Sequence, residues 1–229
     1  MVSNAPRQKP LPRPDVLFPN RQFLQAELRK PHEETNIMPL QSDIDKWFAG
    51  EGRNFLRRIG VQRGQTVLDF GCGAGNFAKP AAEVAGPAGK VYALDKDREC
   101  LENLKMRMGR QRVGNLRCLC VSEDGKIPLP ARSVDVVLLY DVLHGGHFPC
   151  REQRLRVLRK IRRVLKPGGL LSLYPSHLKK YGLTFGTLLS EVEEAGFRLQ
   201  GDARRKLLHR ESFIRGRTFS FARTGPRAG

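Results

Sequence analysis

The stretch Val67-Leu68-Asp69-Phe70-Gly71-Cys72-Gly73-Ala74-Gly75-Asn76-Phe77 decides how this chain folds. Thr66, Val67 and Leu68, apolar or β-branched, run into an acid. Glycine then recurs at every second position, and a helix-compatible segment follows. The pattern predicts a strand, a tight glycine turn and a helix start, the part of an α/β sheet that receives a nucleotide-like ligand. Gly71 and Gly73 let the backbone turn and approach a ligand where a Cβ would clash. A dinucleotide fingerprint counted from Gly71 would need glycine at 76, where Asn76 stands instead. What remains is D-x-G-x-G-x-G, with an acid that would repel a pyrophosphate and suits a cationic ligand.

Outward from this turn the chain alternates regularly. A helical segment from Ser42, a plausible N-cap, to Gly60, a plausible stop, carries Trp47, Phe48, Phe55, Leu56 and Ile59 on its apolar face. Strand 66–70 precedes helix 76–84, strand 90–94 precedes helix 98–108, and strands 116–121 and 134–140 precede helix 151–165. Lys166-Pro167-Gly168-Gly169 stops that helix before strand 169–174. A helix over 184–195, closed by Gly196, leads to strand 197–200, and alternation at 217–222 suggests a last strand. Strands separated by helices predict a doubly wound, mostly parallel sheet.

At this point the chain resembles the class I S-adenosylmethionine-dependent methyltransferases, which open their Rossmann-like sheet with this D-x-G-x-G-x-G turn. Further stretches carry the same resemblance, to the ubiquinone/menaquinone-biosynthesis-like members. They are the run Ser133-Val134-Asp135 to Val142-Leu143-His144, then Val164-Leu165-Lys166-Pro167-Gly168-Gly169, then Glu194-Ala195-Gly196-Phe197. The resemblance covers about residues 42–223 and implies an α/β fold: a seven-stranded sheet, helices on both faces and an antiparallel C-terminal hairpin. It implies S-adenosyl-L-methionine as cofactor, with Asp69 helping to hold the methionine ammonium end. Gly71, Cys72, Gly73 and Gly75 form the loop beneath it. Asp95, at the end of the second strand, would take the ribose hydroxyls, with Lys96 along the adenine edge. Glu123 or Asp124 would meet the adenine amino group; relatives carry an aspartate in that turn, and both acids stay open here. The backbone around Tyr140 and Asp141 would face the methyl or methionine end. Asp97 reads as the N-cap of the next helix.

Methyl transfer from a sulfonium is an in-line displacement in which positioning the acceptor supplies much of the catalysis. A base is needed only where the acceptor must lose a proton. His144 is the candidate for that role, with Asp141 beside it; the alternative is a His144 that starts a helix and packs over the cofactor. His144-Gly-Gly-His147-Phe-Pro-Cys150 has no further ligand group at a matching interval, so no metal is expected. The nucleophilic D-A-P-C arrangement and the N-P-P-Y tetrapeptide of nucleic-acid and amino-group methyltransferases are absent.

Composition bounds the partners. Net charge is +18 over 229 residues, which favours polyanion contact. Two basic blocks stand out, Arg151 to Lys166 and Arg204 to Arg217. A small-molecule acceptor is the leading expectation; RNA methylation, or a non-catalytic RNA- or protein-binding module on this scaffold, is the alternative. Five cysteines at irregular spacing give no disulfide framework, and a cytoplasmic location is expected. No apolar run reaches the roughly 18–20 residues of a membrane span. Residues 1–41, rich in proline and basic side chains, read as a largely disordered tail, and 224–229 as a flexible end.

Overall fold

Apolar strands that alternate with amphipathic helices bury both faces of one sheet, and the computed structural model shows how. It describes residues 42–110, 113–121 and 126–225. The expected N-terminal tail, Glu123, Asp124 and residues 226–229 lie outside that description. In chain order the elements are α1 (Asp43–Lys46), α2 (Gly52–Ile59), β1 (Thr66–Phe70), α3 (Ala78–Ala85), β2 (Lys90–Asp95), α4 (Arg98–Arg110) and β3 (Leu116–Cys120). Then come β4 (Val134–Tyr140), α5 (Arg151–Val164), β5 (Leu165–Tyr174), α6 (Phe185–Glu194), β6 (Phe197–His209) and β7 (Ser212–Arg223).

The seven strands lie in the order β3-β2-β1-β4-β5-β7-β6. Neighbours from β3 to β5 pair in parallel, while β7 runs antiparallel to both β5 and β6. Strand order reverses between β1 and β4, and in open α/β sheets ligands bind at the carboxyl ends of strands beside such a switch point. Successive side chains take opposite faces. Leu68, Phe70, Val137 and Leu139 join one core with α5 and α6, and Val67, Val136, Leu138 and Tyr140 join another with α2, α3 and α4. From α5 alone, Leu155, Val157, Leu158, Ile161 and Val164 are buried. Each contributes about 1.5–3 kcal/mol relative to an exposed position.

Several features depart from the sequence reading, β5 among them: it begins at Leu165, so Lys166-Pro167-Gly168-Gly169 lies within the strand and not before it. The single helix expected over 42–60 is broken. Ser42 Oγ caps α1 by accepting Asp45 N–H at 3.1 Å, and a wide π-type turn over Trp47–Glu51 then leads to α2. Gly52 lies under Pro80 and Trp47, where a Cβ would come within 2.8 Å of Pro80 Cγ. The wide turn lets Trp47 and Phe55 both reach Phe77, at ring separations of 5.2 and 5.9 Å.

The C-terminal hairpin is far longer than the expected 197–200 and 217–222. Its basic stretch Arg204-Arg205-Lys206 is strand, on the sheet's outer edge, where charged side chains discourage further pairing. Thr224, expected in a flexible end, is held: its N–H and Oγ1 both donate to Gly196 O, at 3.0 and 2.8 Å.

Candidate functional site: a glycine cradle and a histidine-lined mouth

β1 ends in Asp69-Phe70, and the glycine turn leaves it towards α3. The turn hangs from the end of β2. Leu94 O accepts Gly71 N–H at 2.7 Å and Cys72 N–H at 3.1 Å, and Asp95 Oδ2 accepts Gly73 N–H at 2.7 Å. Gly71 has φ +76 and would press a Cβ to 2.4 Å from Val142 Cγ2. Gly75 has φ +78 and would do the same to Leu104 Cδ1. Gly73, by contrast, opens onto free space. Two glycines are thus imposed by packing and one leaves room for a ligand.

Asp69 is buried, with Oδ2 lacking any hydrogen-bond partner. Burial, then the nearby Asp95 carboxylate, pushes its acid up from 3.8 to about 7; the Ala78 N–H partly offsets this. A buried acceptor without a partner costs about 1–3 kcal/mol, so this atom is poised for a donor that the chain itself does not supply. Asp95 accepts Asp97 N–H on Oδ1 at 3.1 Å besides Gly73 N–H on Oδ2. An ionised carboxylate has about four lone-pair sites, so two remain for hydroxyl donors. Asp97 caps α4 through Glu99 N–H and Cys100 N–H, as its position suggested. Lys96 is exposed beside them. Cys72 is buried, and its thiol is raised far above the ordinary range by burial and the two acids, which leaves it inert.

Asn76, the residue that broke the dinucleotide pattern, ties the turn to the hairpin tip by donating to Arg210 O at 3.2 Å. Its own carbonyl accepts Trp47 Nε1–H at 2.6 Å. The hairpin tip is therefore held over the carboxyl end of β1.

At the end of β4, Tyr140 turns its ring inward against Phe77 at 4.7 Å and its hydroxyl to Ser172 Oγ at 2.7 Å. Only its backbone is left for a ligand. Asp141 follows with φ 57, its N–H bonded to Tyr174 O and its Oδ1 buried without a partner. His144 lies in a turn rather than at a helix start; α5 begins later, capped by Cys150 and Gln153. The His144 ring is buried and stacks on Tyr181 at 4.8 Å and 4°. Its Nδ1 accepts Gly146 N–H at 3.0 Å, and burial, then His147, hold its pKa below the usual 6.5. Gly145 and Gly146 are glycines because Tyr181 covers them: a Cβ would lie 2.8 and 2.7 Å from its atoms.

The chain matches the family model described as a methyltransferase domain over residues 68–173. It is 29% identical over 163 residues to a demethylmenaquinone methyltransferase of Geobacillus kaustophilus, covering 65% of this chain and 67% of that protein. It is 34% identical over 119 residues to a ubiquinone/menaquinone biosynthesis C-methyltransferase of Cupriavidus necator, 50% of this chain and 44% of that one. A SAM-dependent methyltransferase from Aquifex aeolicus superposes with a TM-score of 0.62 at 23% identity, covering 79% of this chain and 93% of that one.

The domain match and these relatives make the chain similar to the class I S-adenosylmethionine-dependent methyltransferases. The family's cofactor fits the cradle: an orphaned buried carboxylate oxygen at Asp69, an open Gly73 and spare acceptor sites on Asp95.

Two histidines of this site were missed in the sequence. His177 follows β5 and His209 ends β6, and both bring a ring nitrogen to 3.6 Å from Asp141 Oδ2. The signal was positional. His177 stands just past the carboxyl end of a parallel strand neighbouring β4, where such folds gather ligands.

The basic helix α5 is mostly structural. Arg154 is buried in a two-pronged pair with Glu191, Nε to Oε2 at 2.8 Å and Nη2 to Oε1 at 2.7 Å, and its Nη1 donates to Phe148 O and Pro149 O. Arg162 donates to Gly196 O and Thr224 O, Arg163 to Leu129 O and Ile127 O, and Lys166 pairs with Asp135 at 2.7 Å. Arg151 and Arg159 share Glu194. Among the described residues no helix is long and apolar enough to cross a membrane.

Proposed function

We propose that this chain transfers a methyl group from S-adenosylmethionine to a small-molecule acceptor held at the carboxyl ends of β4 and β5. The observation that carries the cofactor half is Asp69: a buried carboxylate oxygen without a partner, beside an open glycine turn and a second acid. When bound, S-adenosylmethionine supplies a methyl group already activated on a sulfonium. Asp69 receives the ammonium end, directly or through water, and the loop Gly71–Gly75, with Cys72 as its buried filler, supports the methionine portion. Asp95 accepts the ribose hydroxyls on its two spare sites, Lys96 borders the adenine edge, and Glu123 or Asp124 completes it. The backbone of Tyr140 and Asp141 borders the methyl group.

On the acceptor side His144 acts as a wall. With Nδ1 accepting Gly146 N–H, the neutral ring carries its proton on Nε2 and can donate to an acceptor oxygen rather than take its proton. The Asp141 carboxylate faces the same side, next to His177 and His209. A quinol-type ring is the first acceptor to try, because two of the relatives carry quinone-biosynthetic names. A cytoplasmic setting suits the five free thiols. RNA methylation is not favoured, since most cations of the 151–166 block are engaged within the protein.

The test is label transfer from methyl-tritiated S-adenosylmethionine into a cell extract split into small-molecule and RNA fractions. Label in the small-molecule fraction supports the reading. Label confined to RNA overturns it.

A further inference from the structure

Four histidines come together at the mouth of the site. His144 and His147 lie 4.6 Å apart, His144 and His177 6.2 Å, and His177 and His209 5.2 Å, measured between ring centres. Two of them converge on one oxygen. Asp141 Oδ2 stands 3.6 Å from His177 Nε2 and 3.6 Å from His209 Nδ1, and all three ligand atoms lie within 4.8 Å of one another. A separation of 3.6 Å is too long for a hydrogen bond. It is close to the edge between two ligands of a tetrahedral ion with bonds of about 2.1 Å, which is roughly 3.4 Å.

We propose that Asp141, His177 and His209 form a site for a divalent transition-metal ion of the zinc type, with one coordination position left open towards an oxygen of the acceptor. Three separate segments deliver the ligands: the turn after β4, the loop after β5 and the last residue of β6 at the hairpin tip. Asp141 and His209 are held in place. Asp141 N–H is bonded to Tyr174 O, the His209 ring packs edge-on to Tyr174 at 6.2 Å, and the hairpin tip is tied to Asn76. Asp141 and His177 both hold left-handed backbone, φ 57 and 58, a conformation that costs of order 1–3 kcal/mol and persists where the surroundings impose it.

The donor set decides the class of ion. Two imidazoles and one carboxylate suit zinc or iron over magnesium or calcium, which prefer all-oxygen shells. Three protein ligands with a fourth position free is the arrangement of catalytic rather than structural zinc. His177 is exposed and the other two are half-buried, so an ion there can exchange with solvent and meet a ligand. An acceptor hydroxyl on the open position would lose its proton to water more easily, as zinc-bound water does. His144 is outside the set because its Nδ1 is taken by Gly146 N–H.

The experiment uses full-length protein without a polyhistidine tag, stripped with chelator and titrated with Co2+ alone. Absorbance reports tetrahedral cobalt, and calorimetry with Zn2+ runs in parallel. One ion per chain, bound at micromolar concentration and weakened by about tenfold or more in both His177→Ala and His209→Ala, supports the site. His177→Gln, altered at an exposed position, serves as a second variant if either alanine form melts early. Absence of saturable binding in the wild type, or binding that survives substitution of both histidines, overturns it. The readout is metal binding alone, so it does not depend on methyl transfer.

Discussion

Asp69 couples stability to function in opposite directions. Its acid titrates near 7 in the folded chain and near 3.8 when exposed, so between those values the folded state holds a proton that the unfolded state has released. Its contribution therefore falls as pH rises from about 4 to 7 and is constant above, a change of order 4 kcal/mol if the whole shift is realised. Asp69→Asn removes that ionisation. Thermal denaturation at pH 8 should show the variant more stable than wild type by about 1–3 kcal/mol, with the difference shrinking towards pH 4.5. The same substitution should weaken cofactor binding at least tenfold, since the anion that faces the ammonium is gone. A cationic ligand also favours ionised Asp69, so wild-type affinity should rise with pH up to about 7 and level off above it. For Asp95→Ala, loss of Gly73 N–H, Asp97 N–H and the ribose acceptor should reduce affinity about 10- to 100-fold by calorimetry; unchanged affinity would remove Asp95 from that role.

At the scale of elements, the Arg154–Glu191 pair joins α5 to α6 and carries the loop before α5 through Phe148 O and Pro149 O. Removing one partner leaves a buried charge, so Arg154→Ala should cost about 3–5 kcal/mol by urea denaturation. Replacing both together, Arg154→Met with Glu191→Leu, should recover most of the loss, because burying the pair carries its own desolvation cost. Gly75→Ala should destabilise by more than 1 kcal/mol, having both a positive φ and a Cβ driven into Leu104.

These elements differ in how well the sequence announced them. β1 and β4 were legible as short apolar runs bounded by polar or glycine residues, and α5 by its stripe of apolar residues at helical spacing. The hairpin was not, because Arg204, Arg205 and Lys206 interrupt the alternation with charges that only an edge strand explains. Nor was the break at Gly50–Gly52 visible. It exists because Trp47 and Phe55 must both pack on Phe77, a contact between distant segments.

Across the whole molecule, the basic block 151–166 is not a ready-made nucleic-acid footprint, because Arg154, Arg162, Arg163 and Lys166 are spent on carbonyls and acids within the fold. Like charges that remain still repel, so raising NaCl from 20 to 200 mM should stabilise the protein by about 1 kcal/mol, roughly 2–4 °C in Tm. The cofactor half of the site was readable because Asp69, the glycines and Asp95 belong to one strand-turn-helix-strand unit. Of the other half, Asp141 and His144 were named from the sequence, but His177 and His209 were not, because they come from separate segments that only the completed sheet and the curled hairpin bring to Asp141. The central claim is that this cradle binds S-adenosylmethionine. Calorimetric titration of the full chain with S-adenosylmethionine at pH 8 tests it most directly. The expected result is saturable one-to-one binding that weakens in both Asp69→Asn and Asp95→Ala; no heat at millimolar ligand, or binding indifferent to both substitutions, would overturn the cofactor assignment.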